Sequence, residues 1–304
     1  MRIFLIIPIL FIFLASCSNS NDFDIPQISK LEKLEEHSNQ FIKGIYSYDN
    51  GIHVAIGFGI ANSIMVEGDG GNIIIDTTDD VSQAKEVLSE FQKINQNPIK
   101  AIIYTHNHGD HVFGASEFYN SQEEKPLVIA HSTTAEKVEK ILGIINPIIT
   151  LRSGKMFGTN LDDDELINVG LGPYLSAGRS SPGYIAPTMT FEKELKLELA
   201  GHKVELYHAP GETDDQLFVW FPELSALMPG DNFYTTFPNL YTIRGTSHRD
   251  VIGWVNSIDK MRSLDPQYLF PSHTMPIVGE EISNALIIYR DGMQYVHDQT
   301  VRLM

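Results

Sequence analysis

Short apolar runs alternate with longer amphipathic stretches along most of the chain. Leu31 to Phe41 predicts a short helix, and Gly51 to Val66 alternates small and apolar residues. Gly68-Asp69-Gly70-Gly71 then supplies a tight turn before Asn72 to Asp76, a hairpin signature. Ile73-Ile74-Ile75 has no polar face, so it predicts a buried strand that delivers Asp76 at its end. Val81 to Ile94 has helical periodicity, Ala101 to Tyr104 is a short apolar strand, and Gly114 onward reads as a helix. Leu127 to Ala130 is another strand, before a helix from Thr133. Strand and helix in alternation predict βαβ units and an α/β class. Between Gly143 and Pro187 the pattern dissolves into Pro, Gly and Ser with apolar patches, which predicts a long inserted loop of the kind that often binds ligands. Within it, Asp162-Asp163-Asp164-Glu165 reads as a solvated turn. Phe191 to Leu199, Lys203 to His208, Leu217 to Trp220 and Ala226 to Met228 are successive strands with short turns, so a second sheet is implied. Val251 to Leu264 is an amphipathic helix, Tyr268 to Phe270 a strand and Glu280 to Leu303 a long helix.

The N-terminus follows a different pattern. Ile3 to Leu14 is an unbroken apolar run behind Arg2, too short for a bilayer core of ~30 Å and suited to a signal peptide. It ends at Leu14-Ala15-Ser16-Cys17, which resembles a bacterial lipobox whose cysteine becomes the lipidated first residue. Cys17 is the only cysteine, so no internal disulfide is possible. Residues 1–16 are therefore expected to be a lipoprotein signal peptide, and 17–44 a tether and N-terminal extension. Residues 45–304 are expected to form one catalytic domain. The predicted location is exported and membrane-anchored through Cys17, facing the periplasm or the cell surface. Loss of Arg2 with the leader moves the formal charge from −17 to −18. So acidic a chain, with no Lys and Arg cluster, argues against a nucleic-acid partner.

Chemistry enters at His106-Asn107-His108-Gly109-Asp110-His111, which holds three of the eleven histidines and one carboxylate. From this composition an H-x-H-x-D-H string arises by chance on the order of one time in a thousand. It lies between a predicted strand and a predicted helix, a usual place for chemistry. Imidazoles two apart can converge on one ion while Asp110 and His111, further along, face a second. The bland alternative is histidines that cap a helix or solvate a loop. Asp76 is a candidate to support these ligands from behind, or an ordinary turn aspartate. His131 also ends a strand, and a helix-start role suits it better than a ligand role.

This motif, with the later polar turns Pro210-Gly211-Glu212-Thr213, Pro229-Gly230-Asp231-Asn232 and Pro271-Ser272-His273-Thr274, resembles the metallo-β-lactamase superfamily. The resemblance implies a four-layer αβ/βα sandwich. Most members carry histidine where this chain has Glu212. That glutamate, Asn239-Leu240-Tyr241-Thr242-Ile243-Arg244-Gly245, the Asn62 to Asp69 stretch, Leu175-Ser176-Ala177-Gly178 and the terminal Tyr289 to Thr300 segment resemble the zinc alkylsulfatase branch. Two features depart from it: Glu212-Thr213-Asp214-Asp215-Gln216 replaces that branch's Thr-Glu-Ala-Pro-Ala-Glu, and its helical dimerisation and lipid-carrier-like domains do not appear before Met304. Oligomeric state is left open.

The resemblance gives His106, His108 and Glu212 to one Zn²⁺, Asp110, His111 and His273 to a second, and Asp231 to both. Nitrogen and oxygen donors of this kind suit zinc. Two zinc ions ~3.5–4 Å apart can share a water, lower its pKa toward ~7 and aim it at an ester centre. The implied activity is hydrolysis of alkyl sulfate esters, with Asp110 and Arg244 in catalytic roles. Arg244, Asn239 and Tyr241 are the substrate-binding candidates, because a guanidinium can hold sulfate oxygens bidentately. Ile144, Ile145, Ile148, Tyr174 and Tyr184 are either a wall for an alkyl tail or core. Two other readings compete: a hydrolase of a phosphoester, a β-lactam or another ester on the same metals, and a non-catalytic tethered binding protein.

Overall fold

The computed structural model describes residues 30–162, 165–175 and 182–304. The expected leader, Cys17, Asp163-Asp164 and Ser176-Ala177-Gly178 lie outside the described residues. Among the described residues, thirteen strands form two sheets. The first contains β1 (Gly44–Ser47), β2 (Ile52–Ile56), β3 (Ser63–Gly68), β4 (Gly71–Ile75), β5 (Ile99–Ile103), β6 (Leu127–His131) and β7 (Met189–Phe191), side by side in chain order. Its first three pairings are antiparallel, and from β4 to β7 the strands run parallel. The second contains β8 (Glu194–Leu199), β9 (His202–His208), β10 (Leu217–Phe221), β11 (Ala226–Met228), β12 (Tyr268–Leu269) and β13 (Ile277–Val278). Only β11 and β12 pair in parallel there.

The layers follow from side-chain alternation on the strands. Ile73 and Ile75 of β4 face inward with Val54, Ile103 and Ile129, and meet Leu206, Leu217, Val219, Phe221 and Met228 of the second sheet. Ile74, Ile102, Tyr104 and Val128 point the other way, onto α2 (Val81–Ile94), α4 (Ala115–Asn120) and α5 (Thr134–Leu142). The outer face of the second sheet, with Phe218, Trp220 and Leu269, packs on α7 (Val251–Arg262) and α8 (Glu281–Leu303) through Trp254, Ile258, Leu286 and Met293. The result is the four-layer αβ/βα sandwich. Helix α2 begins where the Asp80 carboxylate accepts from Gln83 N at 2.9 Å, a side-chain cap for an otherwise orphaned donor. Helix α1 (Lys30–His37) lies before the first strand.

Three sequence expectations are corrected. The 143–187 stretch is not all loop, because Asn146–Met156 forms a helix, α6. Its apolar residues do not line one buried face, so no amphipathic period marked it. The Phe191 to Leu199 run is split, with Phe191 closing β7 in the first sheet and Glu194 opening β8 in the second. Third, Gly109–Val112 forms a one-turn helix, α3, so Asp110 and His111 sit on helical backbone and not on the open turn.

Phe221 is fully buried between the sheets, at the end of β10 away from Leu217. Phe221→Ala removes a large side chain from a site that cannot collapse, and about 3–5 kcal/mol of stability is expected to go with it. Urea unfolding should show a lower midpoint at unchanged slope. The metal content of the folded protein should stay at the wild-type level, since the substitution lies four strand residues, ~13 Å, from the site end of β10.

Candidate metal centre

Four turns meet at one end of the sandwich, each after a strand. β5 leads to Thr105 through His111, β9 to Pro210 through Gln216, β11 to Pro229 through Asn232, and β12 to Pro271 through Thr274. The Pro-Gly steps have a steric cause. A side chain at Gly211 would begin 2.0 Å from Asn232 Oδ1, and one at Gly230, whose φ is +59°, would begin 2.1 Å from Gln216 Nε2. Strand pairing across the two sheets continues into the site, because Leu217 N donates to Thr105 O at 2.9 Å.

All seven sequence-predicted ligands are brought to this end. His106 Nε2 and His108 Nδ1 lie 2.9 Å apart, and His106 Nε2 is 3.7 Å from Asp231 Oδ2. His111 Nε2 is 3.3 Å from Asp110 Oδ2 and 3.4 Å from Asp231 Oδ1. His273 Nε2 is 3.5 Å from Asp110 Oδ2 and 3.2 Å from Asp231 Oδ2. Two groups of potential ligands result, Asp110-His111-Asp231-His273 and His106-His108-Asp231, and Asp231 belongs to both. Glu212 stands slightly outside, its Oε1 3.9 Å from His108 Nδ1.

The donor set fits a cation. His111 Nε2, Asp231 Oδ1 and Glu212 Oε2 are buried without a hydrogen-bond partner among the described residues, a costly state for polar atoms unless something else satisfies them. Electrostatics agree. Burial disfavours a charged ring at His273, yet Asp231 and Asp110 outweigh it and lift this imidazole to about 9. At His111 burial is likewise overcome by Asp231 and Asp110, and the ring is raised. His106, under burial and beside His111, falls to about 4. The carboxylates thus draw positive charge into the cluster, a place a dication can take by displacing protons.

Behind the ligands, the fully buried Asp76 carboxylate accepts from Thr105 N at 2.8 Å and Thr105 Oγ1 at 2.9 Å, from His111 Nδ1 at 2.8 Å and from Ser272 Oγ at 2.7 Å. With its Nδ1 proton committed, His111 presents Nε2 to the cluster. His273 is held the same way, Nδ1 donating to Ile60 O at 2.8 Å. Asp76 is therefore a support for the ligands, as one sequence reading has it. His131 stays out of the site: its ring nitrogens lie 3.0 Å from Thr133 Oγ1 and 3.0 Å from Glu192 O.

Two supports were invisible in the sequence. Arg249, buried, donates from Nη2 to Glu212 Oε1 at 2.8 Å, and its Nη1 donates to Asn239 O. Burial pushes the Glu212 carboxyl up to about 7 against the pull of Arg249. Asp215 accepts from Asn107 Nδ2 and, at 2.8 Å, from Thr134 Oγ1, which fixes the metal turn to the start of α5. No motif announced either residue. The weak signal for Asp215 was its place in a crowded acidic turn, and Arg249 had none.

Above the ligands lies a cavity of about 350 Å³ whose floor includes His108, Asp110, Glu212, Asp231 and His273, and whose walls are apolar, with Ile60, Phe113, Ile149, Phe157 and Leu175. Asn239 and Arg244 line it as well. A second cavity of about 620 Å³ adjoins it, sharing His108, Ile149, Glu212 and Arg244, and opens between α6 and the 241–248 loop. Tyr241 lines this outer space only. Of the apolar residues expected to form a wall, Ile145 and Ile148 line the outer cavity, and Tyr184 packs with the core under α2. Tyr174 donates its hydroxyl to Phe58 O at 3.2 Å, and Ile144 points to solvent. Arg244 makes no ion pair among the described residues, and burial lowers its pKa against the pull of the nearby Glu212 carboxylate.

Residues 56–273 match the metallo-beta-lactamase superfamily. A linear primary-alkylsulfatase from a Pseudomonas species is 39% identical over 247 residues, which cover 79% of this chain and 46% of that protein. Another linear primary-alkylsulfatase from a Pseudomonas species is 28% identical over 86% of this chain and 40% of its own length. The chain thus spans less than half the length of these curated relatives. The solved structure of a stereoselective inverting sec-alkylsulfatase from a Pseudomonas species shares the fold, with a TM-score of 0.82 at 23% identity over 90% of this chain and 45% of that one. By its matched sequence and its αβ/βα sandwich alike, this chain belongs to the metallo-beta-lactamase superfamily.

Proposed function

We propose that this chain is a zinc-dependent hydrolase of alkyl sulfate esters. One observation carries the reading: Arg244, with no ion-pair partner among the described residues, lines an apolar-walled cavity whose floor is a cluster of buried N and O ligands. An anionic head and an apolar tail are what such a site is built to hold, and the alkylsulfatases among the chain's relatives support it.

His106, His108 and Glu212 would hold one Zn²⁺, Asp110, His111 and His273 the other, and Asp231 would serve both. When bound, the ions supply Lewis acidity for the ester oxygens and lower the pKa of a shared water. Asp76 and the Ile60 carbonyl keep His111 and His273 in the tautomer that leaves Nε2 free. Arg249 keeps Glu212 from swinging away. Arg244 orients the sulfate, and the apolar walls hold the alkyl chain and exclude bulk water from the head. Export and acylation at Cys17 belong to the same proposal.

Elemental analysis of protein loaded with excess zinc is expected to find two ions per chain, and fewer in Asp231→Ala. A ceiling of one ion in the wild type would remove the two-metal assignment.

Arg244→Lys keeps the charge but loses the planar fork, so a bidentate contact predicts a loss with lysine as well as with alanine. Losing a charge-assisted hydrogen bond of ~1.5–3 kcal/mol lowers kcat/KM for a long-chain alkyl sulfate roughly ten- to a hundredfold, with zinc unchanged. Wild-type rates in Arg244→Ala would make the arginine structural. Faster turnover of a phosphoester or a β-lactam than of any alkyl sulfate would replace the substrate assignment.

In cells, the protein is expected in the membrane fraction, and Cys17→Ser is expected to shift it to the soluble one. Equal partitioning of the two would refute the anchor.

A further inference from the structure

Helix α6 breaks the pattern of every longer helix around the sandwich. It contains Ile148, Ile149, Leu151 and Met156, yet none of its residues is buried. Ile148 is 55% exposed and Leu151 64%, and Ile144 just before the helix is 87% exposed. Across the outer cavity stands Tyr241, 75% exposed, and Ile243, two residues further along the same loop, is 86% exposed. Ile148 and Tyr241 face each other across one opening, since both line the same space, and the exposed Ile144, Leu151 and Ile243 extend the apolar surface beside them in the chain. An apolar rim of this kind around a pocket marks an interaction surface.

Charge selects the occupant. From Lys140 to Leu161 there is no acidic residue, while Lys140, Arg152 and Lys155 are all present, in a chain of formal charge −17. The salt bridges formed by the described residues include none of these three. A two-fold pairing of α6 with a second copy would bring its own cations face to face, which disfavours that occupant. Isoleucine and leucine at the tips with lysine and arginine between them suit an interface of apolar tails under anionic headgroups. Among the described residues no helix is long and apolar enough to cross a membrane, so the contact is one of docking.

We infer that the α6 lip and the Tyr241–Ile243 lip seat the pocket mouth on an anionic lipid bilayer, from which an amphiphilic substrate can pass into the apolar cavity. The passage of substrate rests on the alkyl sulfate reading; the docking does not. Because Cys17 is the only cysteine, Ile148→Cys in a Cys17→Ser chain can carry a single environment-sensitive dye at the lip, away from the N-terminal apolar run. Vesicles of phosphatidylglycerol and phosphatidylcholine are expected to blue-shift its emission, with reversal at high salt, and phosphatidylcholine alone to leave it unshifted. Adding Arg152→Ala and Lys155→Ala is expected to raise the lipid concentration for half-saturation about twenty-five-fold, at about fivefold per basic residue near an anionic surface. Circular dichroism of each variant guards against unfolding. No shift with anionic vesicles, an unchanged half-saturation in the double variant, or a shift produced by protein concentration alone without lipid overturns the docking, the last in favour of a second copy. Docking without turnover of any alkyl sulfate would overturn the substrate reading and leave the surface standing.

Discussion

The hydrogen bonds gathered by one buried carboxylate hold the functional end of this protein together. Asp76 sits at the end of β4 with φ at +57°, a left-handed conformation that Asp tolerates better than most residues. Its two oxygens take donors from the end of β5, from α3 and from the turn after β12. A charge with no exposure survives only when it is so fully bonded. Those bonds fix at once the ring orientation of His111 and the position of Ser272, the neighbour of His273. The parallel β4–β5 pairing makes this possible, because it delivers Asp76 and Thr105 side by side at the same edge.

What Asp76 achieves from behind, a cation must achieve from in front. Asp110, Asp231 and Glu212 converge within a few ångströms, and Arg249 is committed to Glu212. Left alone, the site recruits protons, which is why His111 and His273 are raised while His106 is not. A geometry that raises some imidazoles and leaves polar atoms unsatisfied is poor as a folding device. It is a good one for a site whose missing term is a metal. The strained φ of +64° at Thr274, a β-branched residue beside His273, has the same character.

The first ligands were legible from spacing alone, in the short packet from His106 to His111, and the later ones through the family resemblance. His106 to His111 lie on consecutive turns of backbone, and Glu212, Asp231 and His273 each follow a strand and a Pro-Gly or Pro-Ser step. The second sheet was legible from the successive short strands between Lys203 and Met228, and the four-layer order from the resemblance. The one-turn α3 was not, being too short for any periodicity to register. Arg249 was not, because a single arginine pairs with Glu212 across 37 residues and carries no local signature. The outer cavity was partly missed for another reason. Ile145 and Ile148 line it together with Tyr241 and Arg244, which lie far along the chain, and the inner cavity's Ile60, Phe113 and Phe157 likewise come from segments that no common pattern links.

Helix α6 shows where pattern reading and function part company. Amphipathic periodicity detects helices that owe their stability to one buried face. Helix α6 has no buried residue, so its apolar side chains were read as patches in a loop. Exposing them costs solubility and gains the fold nothing, and the adjoining Lys140 and Arg152 line the cavity next to the ligands. The scaffold of Asp76, Thr105 and the two sheets fixes where the candidate ligands stand. Helix α5 is fixed to that scaffold by Val138 in the core and by Thr134 and Lys137, which bond Asp215 and Asp214, whereas α6 buries none of its own side chains. The candidate ligands are thus set by residues that cannot move without losing buried hydrogen bonds, while the cavity beside them is bordered by a helix that buries no side chain of its own.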